Sequence, residues 1–225
     1  MGNNGNHFTH LILASNSPRR KELLRLGGWN FRILPADVDE TPLETEPADY
    51  YVRRLAEEKA RAVADQTSMG EWIVAADTTV ADGEHILGKP QDAAEAMSML
   101  LNLSGRVHQV HTAVAVFDPH ADRMSVELAT TNVPMRPYTR EEIQAYIATG
   151  DPFDKAGSYA IQHPEFRPVE ALTGCYANVV GLPLCHLARA LNSFAEPFSP
   201  ELPARCQNRL DYDCTVYANV QKGEL

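Results

Sequence analysis

Short apolar runs alternate along the chain with segments in which apolar residues recur at helical spacing. Continuous apolar runs between polar or turn residues are typical of buried strands, and apolar residues three and four positions apart are typical of packed helices. The runs predict strands at residues 11–14, 31–38, 72–80, 107–117 and 125–135. The helical spacings predict helices at residues 18–27, 47–65, 92–101, 139–148 and 183–194. This alternation of strands and helices indicates an α/β fold.

Three of the predicted helices begin at recognisable signals. Pro47 suits a first helical turn, where its missing N–H costs little. Asp92 with Glu95, and Thr139 with Glu142, form capping-box patterns. In such a box the side chain of the first residue accepts a hydrogen bond from the backbone N–H three residues later. The acidic side chain at that later position accepts one from the backbone N–H of the first residue. A proline in the first turn therefore predicts the start of one helix, and capping boxes predict the starts of the other two.

Composition divides the chain of 225 residues into three parts. Residues 1–10 are polar and are predicted to be a disordered N-terminal segment. Residues 11–195 carry the alternating pattern, a length that suits one large domain or two small lobes. Residues 196–225 contain several prolines, which interrupt regular structure. We expect this last part to be an extension of unknown role rather than core.

The formal net charge of −10 argues against a nucleic-acid or membrane-surface role, because the chain repels polyanions at long range. No apolar run reaches bilayer-spanning length, and the N-terminus lacks the apolar centre of a signal peptide, so a cytoplasmic location is expected. The four cysteines lack metal-type spacing and are expected to be free thiols. A Cys206–Cys214 disulfide is the alternative.

The stretch SNSPRR, which begins at Ser15, places two arginines where a helix begins. Ser17 suits the N-cap of that helix. The helix dipole disfavours Arg19 and Arg20 at this end, unless they and the free backbone N–H groups bind an anion such as a polyphosphate. The alternative is a solvated basic turn paired with acidic neighbours such as Glu22.

Two further charged residues interrupt apolar patterns. Lys59 lies on the apolar stripe of the predicted helix 47–65, from which it either snorkels to solvent or points into a polar cleft. Asp77 lies in the predicted strand 72–80. A buried carboxylate must be paired, hydrogen-bonded or bound to a metal. The alternative is that the strand ends at Asp77 and a turn begins there.

More charge comes from two short segments. Asp37 and Asp39 would share one strand face, and Glu40 would point to the other if the strand continued. Lys89, in a Gly-Lys-Pro loop, is either a further cation of a site or an ordinary turn lysine.

His108 and His111 lie three positions apart in a predicted strand, so they face opposite sides and are interpreted as core or surface residues rather than a metal pair. No Ser-His-Asp arrangement stands out, and no thiol has an evident histidine partner. Carboxylates together with separated cations instead predict metal-assisted attack of water on a phosphoanhydride.

The ordered motifs of the chain resemble those of the Maf family of nucleoside triphosphate pyrophosphatases, also called septum-formation inhibitor proteins, over residues 11–191. The motifs are LILASNSPRRKELL, DVDE, YVRRLAEEKA, AADTTV, ILGKP, LSGRVHQVHTAVAV, EEIQAYIATGDPFDKAGSYAIQ and NVVGLPL. The resemblance implies a Maf/inosine triphosphatase-like α/β fold, in which an elongated mixed sheet with flanking helices has a central cleft between two lobes.

The resemblance also implies hydrolysis of a nucleoside triphosphate to the monophosphate and pyrophosphate with a divalent metal cation, Mg²⁺ or Mn²⁺. Carried across to the matching positions, it implies that Asp77 activates the water and that Glu40 and Asp77 hold the metal. The phosphate-binding residues that it implies are Ser15, Arg19, Arg20, Lys59 and Lys89.

Three positions distinguish two branches of the family. The dTTP/UTP pyrophosphatase branch has the residues that this chain carries as Arg19, Thr78 and Gln162, whereas a 7-methyl-GTP branch has tryptophan, glutamine and glutamate there. A glutamine amide can both donate to and accept from a pyrimidine edge. The chain departs from the family pattern at His163 and Pro164, where a glycine usually follows Ile-Gln.

The expected function is therefore hydrolysis of dTTP and UTP, with modified pyrimidine nucleotides as further targets. A 7-methyl-GTP pyrophosphatase and a nucleotide-binding regulator of cell division or septum formation are the alternatives. The resemblance implies a homodimer, and a cell-division protein is a further candidate partner. Neither nucleic acid nor membrane is an expected partner.

Overall fold

A computed structural model describes residues 10–196 and 199–225, and in it six strands form one mixed sheet. The strands are β1 (His10–Leu13), β2 (Asn30–Ile33), β3 (Glu71–Asp82), β4 (His85–Leu87), β5 (Val107–Asp118) and β6 (Arg123–Pro134). Their order is β2-β1-β3-β5-β6, and β4 pairs with one end of β3. β1 is parallel to β2 and β3, whereas β5 is antiparallel to β3 and β6. The predicted α/β class with a mixed sheet is confirmed.

Eight α-helices lie in the described part of the chain. They are α1 (Pro18–Leu26), α2 (Ala48–Ala62), α3 (Ala93–Leu103), α4 (Arg140–Ala148), α5 (Tyr176–Val180), α6 (Leu184–Asn192), α7 (Leu202–Leu210) and α8 (Tyr217–Lys222). Single 3₁₀ turns occur at Ala64–Gln66, Asp151–Asp154 and Ala156–Ser158. The capping box of Thr139 and Glu142 is complete at α4. At α3 the Asp92 side chain accepts from the Glu95 N–H at 2.8 Å, as predicted.

Helices cover both faces of the sheet, which explains the continuous apolar run in β1. Leu11 belongs to a core with Leu24 of α1 and Leu187 of α6. Its neighbour Ile12 belongs to the opposite core, with Leu55 of α2. Because successive strand residues point to opposite faces, a strand covered on both faces must be apolar throughout. A third core lies around α3 and α4.

Two predicted strand limits differ from the structure. β2 ends at Ile33 rather than near residue 38. Pro35 follows two residues later and has no N–H to donate to the neighbouring strand, so the strand does not continue. β3 runs past the predicted end, because it pairs with β5 from Ile73 to Ala81. The interpretation of Asp77 as the first residue of a turn is therefore wrong.

Residues 199–225 pack onto the domain, and the expectation of an extension outside the core is wrong for them. Leu202 of α7 is fully buried in the core that contains α1 and α6. Val220 of α8 is also buried, and its carbonyl accepts from the Arg189 guanidinium at 2.9 Å. The predicted disordered segment 1–10 lies outside the described residues, apart from His10, which begins β1.

The four cysteines are free thiols, as expected, and they line one small cavity between α5, α6 and α7. Burial raises the pKa of both Cys185 and Cys206 to about 12, so these two groups remain protonated at neutral pH. No helix in the described ranges is long and apolar enough to cross a lipid bilayer.

Candidate active site

A cavity of about 230 Å³ opens beside the middle of β3. The pairing of β1 with β3 ends at Leu13 opposite Val74, and β4 pairs with β3 only from Val80 onward. Between these two pairings one edge of β3 has no neighbouring strand. Asp77 and Thr78 point to opposite faces of the sheet, yet both line the cavity because it wraps this free edge.

Most of the predicted site residues line this cavity. They are Arg19, Arg20, Glu40, Lys59, Asp77, Thr78, Lys89 and Gln162. Ser15 does not line the cavity. Its buried hydroxyl accepts from the Ser17 N–H at 3.2 Å and from Arg20 Nη1 at 3.5 Å. A phosphate-binding role for Ser15 stays a prediction, and its observed contacts are those of a residue that positions Arg20.

Arg20 is fixed at the start of α1. Ser17 caps the helix, since its hydroxyl accepts from the Arg20 N–H at 3.4 Å. The Arg20 guanidinium donates to the Gly181 carbonyl at 2.9 Å and to Thr78 Oγ1 at 3.0 Å. None of these partners is a carboxylate, so the positive charge is oriented but not neutralised by the hydrogen bonds it makes.

The charge at this helix end has no acidic partner nearby in sequence. Burial lowers the pKa of Arg20, although the charge of Asp77 opposes the shift. Glu22 pairs with Arg209 of α7 instead, so the alternative in which Glu22 neutralises the basic turn is wrong. Arg19 makes no hydrogen bond or ion pair with the residues that the structure describes. A bound anion would therefore meet one fixed and one unpartnered guanidinium.

Lys59 points into the cavity and joins two carboxylates. Its Nζ lies 2.6 Å from Asp77 Oδ1 and 2.5 Å from Glu40 Oε1. The Lys59 and Asp77 side chains are almost fully buried, whereas about half of the Glu40 side chain is exposed (52%). The polar-cleft interpretation of Lys59 is confirmed, and the snorkelling alternative is wrong.

The two carboxylates have different proton affinities. Burial raises the pKa of Asp77, although the charges of Lys59 and Arg20 oppose the shift. Partial burial is the largest single effect on Glu40 and acts in the same direction, but the hydrogen bond from Lys59 and the charges of Lys59, Lys89 and Arg20 together outweigh it and lower the pKa of Glu40. Asp77 is therefore the stronger base of the pair, and Glu40 is the carboxylate that stays ionised more readily.

Glu40 reaches the cavity from a loop, not from the predicted strand. Residues 37–40 are outside the sheet, so the predicted faces of Asp37, Asp39 and Glu40 do not form. The Tyr51 hydroxyl of α2 donates to the Glu40 carbonyl at 2.8 Å and fixes this loop. The Asp39 carboxylate accepts from the Thr41 N–H at 2.9 Å, within the loop itself.

Two further lysines, Lys89 and Lys155, line the cavity. Lys89 lies in the exposed loop after β4 and has no hydrogen bond or ion pair within the described ranges. Lys155 is buried, and its Nζ lies 2.9 Å from Asp151 Oδ1 and 2.5 Å from Asp154 Oδ1. The sequence interpretation missed Lys155, because a lysine beside two acids has the pattern of a solvated surface cluster. Its place directly before an Ala-Gly turn is the signal that was available.

Gln162 lies at the outer end of the cavity, in a loop that begins with a tight turn. The His163 N–H donates to the Ala160 carbonyl at 3.2 Å, and His163 Nδ1 accepts from the Phe166 N–H at 3.0 Å. The Pro164 carbonyl accepts from the Arg167 side chain at 2.8 Å. The residues that replace the usual glycine therefore hold the loop in place, and the Gln162 amide has no hydrogen bond with the described residues.

The histidines do not form a metal pair. His108 Nε2 lies 2.8 Å from the Tyr159 hydroxyl, and His111 Nδ1 lies 3.0 Å from Thr130 Oγ1. Within residues 10–196 and 199–225, no group of three or more His, Cys, Asp or Glu side chains is arranged to hold a metal ion. The carboxylates that could contribute to a cation site at the cavity are Glu40 and Asp77, around Lys59, and Asp154 beside Lys155.

The lining of the cavity carries more positive than negative groups. The cations are Arg19, Arg20, Lys59, Lys89 and Lys155, and the carboxylates are Glu40, Asp77 and Asp154. Separated cations on an otherwise acidic chain form a local site for a polyanion. The fold and this site together define an α/β protein with a cavity suited to a polyphosphate.

Comparison with known proteins gives the family. Residues 10–194 match the model of Maf-like proteins. A dTTP/UTP pyrophosphatase of Citrifermentans bemidjiense is 50% identical over 182 residues, which are 80% of this chain and 93% of the relative. That of Geobacter sulfurreducens is 47% identical over 182 residues, 80% of this chain and 94% of the relative. The chain therefore belongs to the Maf family.

Among solved structures, the Staphylococcus aureus Ham1 protein matches with a TM-score of 0.46 and 15% identity. The match covers 83% of this chain and 98% of that one.

Proposed function

We propose that the chain hydrolyses dTTP and UTP to the nucleoside monophosphate and pyrophosphate. The observation that carries this proposal is the position of Asp77, a buried carboxylate with a raised pKa, among the cations of the cavity. Membership of the Maf family and relatives named dTTP/UTP pyrophosphatase support it. The chain is thus a hydrolase that acts on a phosphoanhydride.

Asp77 takes the proton of the attacking water, the water oxygen bonds to phosphorus, and the anhydride bond between the α- and β-phosphates breaks. The raised pKa makes Asp77 a better proton acceptor than an exposed carboxylate. Lys59, at 2.6 Å, holds the carboxylate in one orientation. Arg20 and Lys89 face the polyphosphate and offset the charge that develops on the departing pyrophosphate.

A divalent cation fits this site as a partner of the substrate. Glu40 and Asp77 both contact the ammonium group of Lys59, so both carboxylates reach the same region of the cavity. Mg²⁺ is usually held by one or two carboxylates together with substrate phosphates and water, which matches a site with two protein ligands. Such a cation would neutralise phosphate charge, and we propose Mg²⁺ or Mn²⁺ in this role.

The base-selecting residues have two different roles. Arg19 and Gln162 line the outer part of the cavity with unpartnered donors and acceptors, so they are free to contact the nucleoside. Thr78 accepts from Arg20 at 3.0 Å and lies 3.0 Å from Thr112 Oγ1. We therefore assign Thr78 as a positioning residue that acts on the substrate through Arg20.

The test is pyrophosphate release from a panel of nucleoside triphosphates with Mg²⁺ or Mn²⁺. We expect dTTP and UTP to be the preferred substrates and 7-methyl-GTP a poor one. Asp77→Asn should lower turnover by at least about 100-fold, because a positioned general base contributes that much, while UTP binding is largely retained. Asp65→Asn, an exposed carboxylate outside the cavity, is the matched control. Undiminished turnover in Asp77→Asn would remove the assignment of the base.

The family resemblance also predicts a homodimer, and the sequence predicts a cytoplasmic location and a cell-division protein as a further candidate partner. These remain predictions. A regulator that binds nucleotide without hydrolysis is the second candidate function. The panel separates the two, since a regulator of that kind would bind UTP and release no pyrophosphate from it.

A further inference from the structure

A second cavity, of about 210 Å³, adjoins the first at its outer end. Arg19 and Gln162 line both cavities, so the two spaces meet around these side chains. The far wall of the second cavity is the C-terminal end of α7, with Arg209, Leu210 and Asp211. Residues 199–225 therefore contribute directly to the space beyond the polyphosphate site.

The size of the first cavity alone does not suit a whole nucleotide. Pockets for small molecules usually measure about 300–1,000 Å³. The first cavity, at about 230 Å³, and the second, at about 210 Å³, each fall short of this range, but together they reach it. A nucleoside triphosphate would consequently occupy both.

The chemistry of the walls assigns each cavity a different part of the nucleotide. The first is rich in cations, as the triphosphate requires. The second has apolar side chains from Leu23, Val180 and Leu210, together with the ring of Tyr176. Charged and amide side chains make up the rest of its lining: Arg19, Glu22, Gln162, Arg209 and Asp211. Apolar faces combined with such groups suit a flat heterocycle whose edge carries donors and acceptors.

The α7 wall is anchored on two sides. Arg209 forms an ion pair with Glu22 of α1. The Tyr212 hydroxyl lies 3.1 Å from the Leu172 and Gly174 carbonyls and accepts from the Gly174 N–H at 3.2 Å. Asp211, between these anchors, ends α7 in the left-handed conformation, with φ of 48°. Its position is thus set by the backbone, and its carboxylate has no hydrogen bond or ion pair among residues 10–196 and 199–225.

We propose that the C-terminal extension completes the nucleobase end of the site, and that Asp211 is a specificity-determining residue for the pyrimidine. The free carboxylate accepts a hydrogen bond from an N–H of the base edge, and the Gln162 amide, which lines the same cavity, supplies both a donor and an acceptor. Arg209 has a supporting part, because its ion pair with Glu22 holds the wall against α1. This inference rests on the proposed hydrolysis of pyrimidine nucleoside triphosphates.

The test compares the full-length wild type with Asp211→Asn, which keeps the size of the side chain and tolerates the left-handed conformation. Two quantities are measured: kcat/KM for UTP, and the inhibition constant of inorganic triphosphate, which has phosphates but no base. We expect Asp211→Asn to lower kcat/KM for UTP by about 10-fold, the order expected when a charge-assisted hydrogen bond is weakened. The inhibition constant of inorganic triphosphate should stay unchanged.

Asp213→Asn is the matched control, because this exposed carboxylate lies two residues away and does not line the cavity. It should behave as the wild type in both measurements. An Asp211→Asn variant with unchanged kcat/KM for UTP overturns the inference. Equal losses for UTP and for inorganic triphosphate also overturn it, since they would place the effect at the phosphate end. If the wild type hydrolyses no pyrimidine nucleoside triphosphate, the proposed function itself fails, a result distinct from both of these.

Discussion

At the level of single residues, the proposed chemistry depends on how the protein sets the proton affinity of one buried carboxylate. Asp77 is almost fully removed from water, which raises its pKa, while Lys59 and Arg20 limit the rise. Lys59 lies nearest, at 2.6 Å. The balance between burial and these two cations decides at which pH Asp77 can accept a proton.

Replacing Lys59 by methionine should move the acidic limb of the kcat/KM profile to higher pH. Asp77 acts as a base only above its pKa, so activity is lost as pH falls through that value. Without the opposing charge of Lys59 the pKa of Asp77 rises further, and the loss begins at a higher pH. We expect kcat/KM for UTP near pH 7 to fall by about 10-fold or more, with partial recovery at alkaline pH.

Arg53→Met is the control for this experiment, since Arg53 lies on the same helix and makes no hydrogen bond or ion pair with the described residues. Its pH profile should match that of the wild type. A Lys59→Met enzyme whose acidic limb stays in place would contradict the assigned coupling between Lys59 and Asp77.

At the level of elements, the cavity depends on the free edge of β3 and on the loops that meet there. Gly157 joins two of these loops, because its N–H donates to the Gly88 carbonyl at 3.1 Å, next to Lys89. Its φ is 70°, and a Cβ at this position would lie 3.0 Å from Val80 Cγ1 of β3. Only glycine meets both requirements, the left-handed backbone and the close approach to the strand.

Gly157→Ala should lower the free energy of unfolding more than the matched change Gly83→Ala. Gly83 also has a positive φ, 62°, but a Cβ there meets nothing within 4 Å. Alanine in the left-handed region costs about 1–2 kcal/mol, and crowding against a packed side chain adds about 1–3 kcal/mol. Urea unfolding measures both variants. Equal losses of unfolding free energy at the two positions would show that crowding against Val80 does not contribute to the destabilisation.

At the level of the whole molecule, the C-terminal helices are part of one core with the family domain. Leu202 of α7 is fully buried among side chains of α1 and α6. Tyr212 is hydrogen-bonded to the segment that precedes α5, and Arg189 of α6 to the carbonyl of Val220 in α8. The extension is therefore expected to unfold together with the rest of the chain.

Leu202→Ala should destabilise the entire protein by about 2–5 kcal/mol, the usual cost of emptying a buried leucine site. Loss of activity and loss of helical circular dichroism should then share one shifted denaturation midpoint. Leu43→Ala, at a position with 60% exposure, should change stability by no more than about 0.5 kcal/mol. Two separate transitions in Leu202→Ala would contradict a shared core.

Much of the fold could be predicted because its signals are local. The apolar runs of β1, β3 and β5 and the caps of α1, α3 and α4 are each readable within a few residues. The short helix α5 and the true end of β2 were not predicted. A five-residue helix has too few apolar positions to show a helical period. The end of an edge strand depends on how far the neighbouring strand extends, and β1 ends at Leu13, opposite Ile33.

The sequence by itself determined the residue types of the site, through charge placed where a helix dipole or a buried strand makes it costly. Arg20 and Asp77 stand out for that reason, as does Lys59 on an apolar stripe. These conflicts are local, so they are visible without coordinates, and the ordered motifs added the family.

Only the tertiary structure decided which of these groups meet. The pairing of Lys59 with Asp77 and the contribution of Asp211 to the second cavity join separate segments of the chain. Such contacts follow from where β1 stops along β3 and from how α7 packs against α1, and neither is encoded by the spacing of neighbouring residues. The free strand edge therefore exists only in the folded chain, and the candidate active site is built around it.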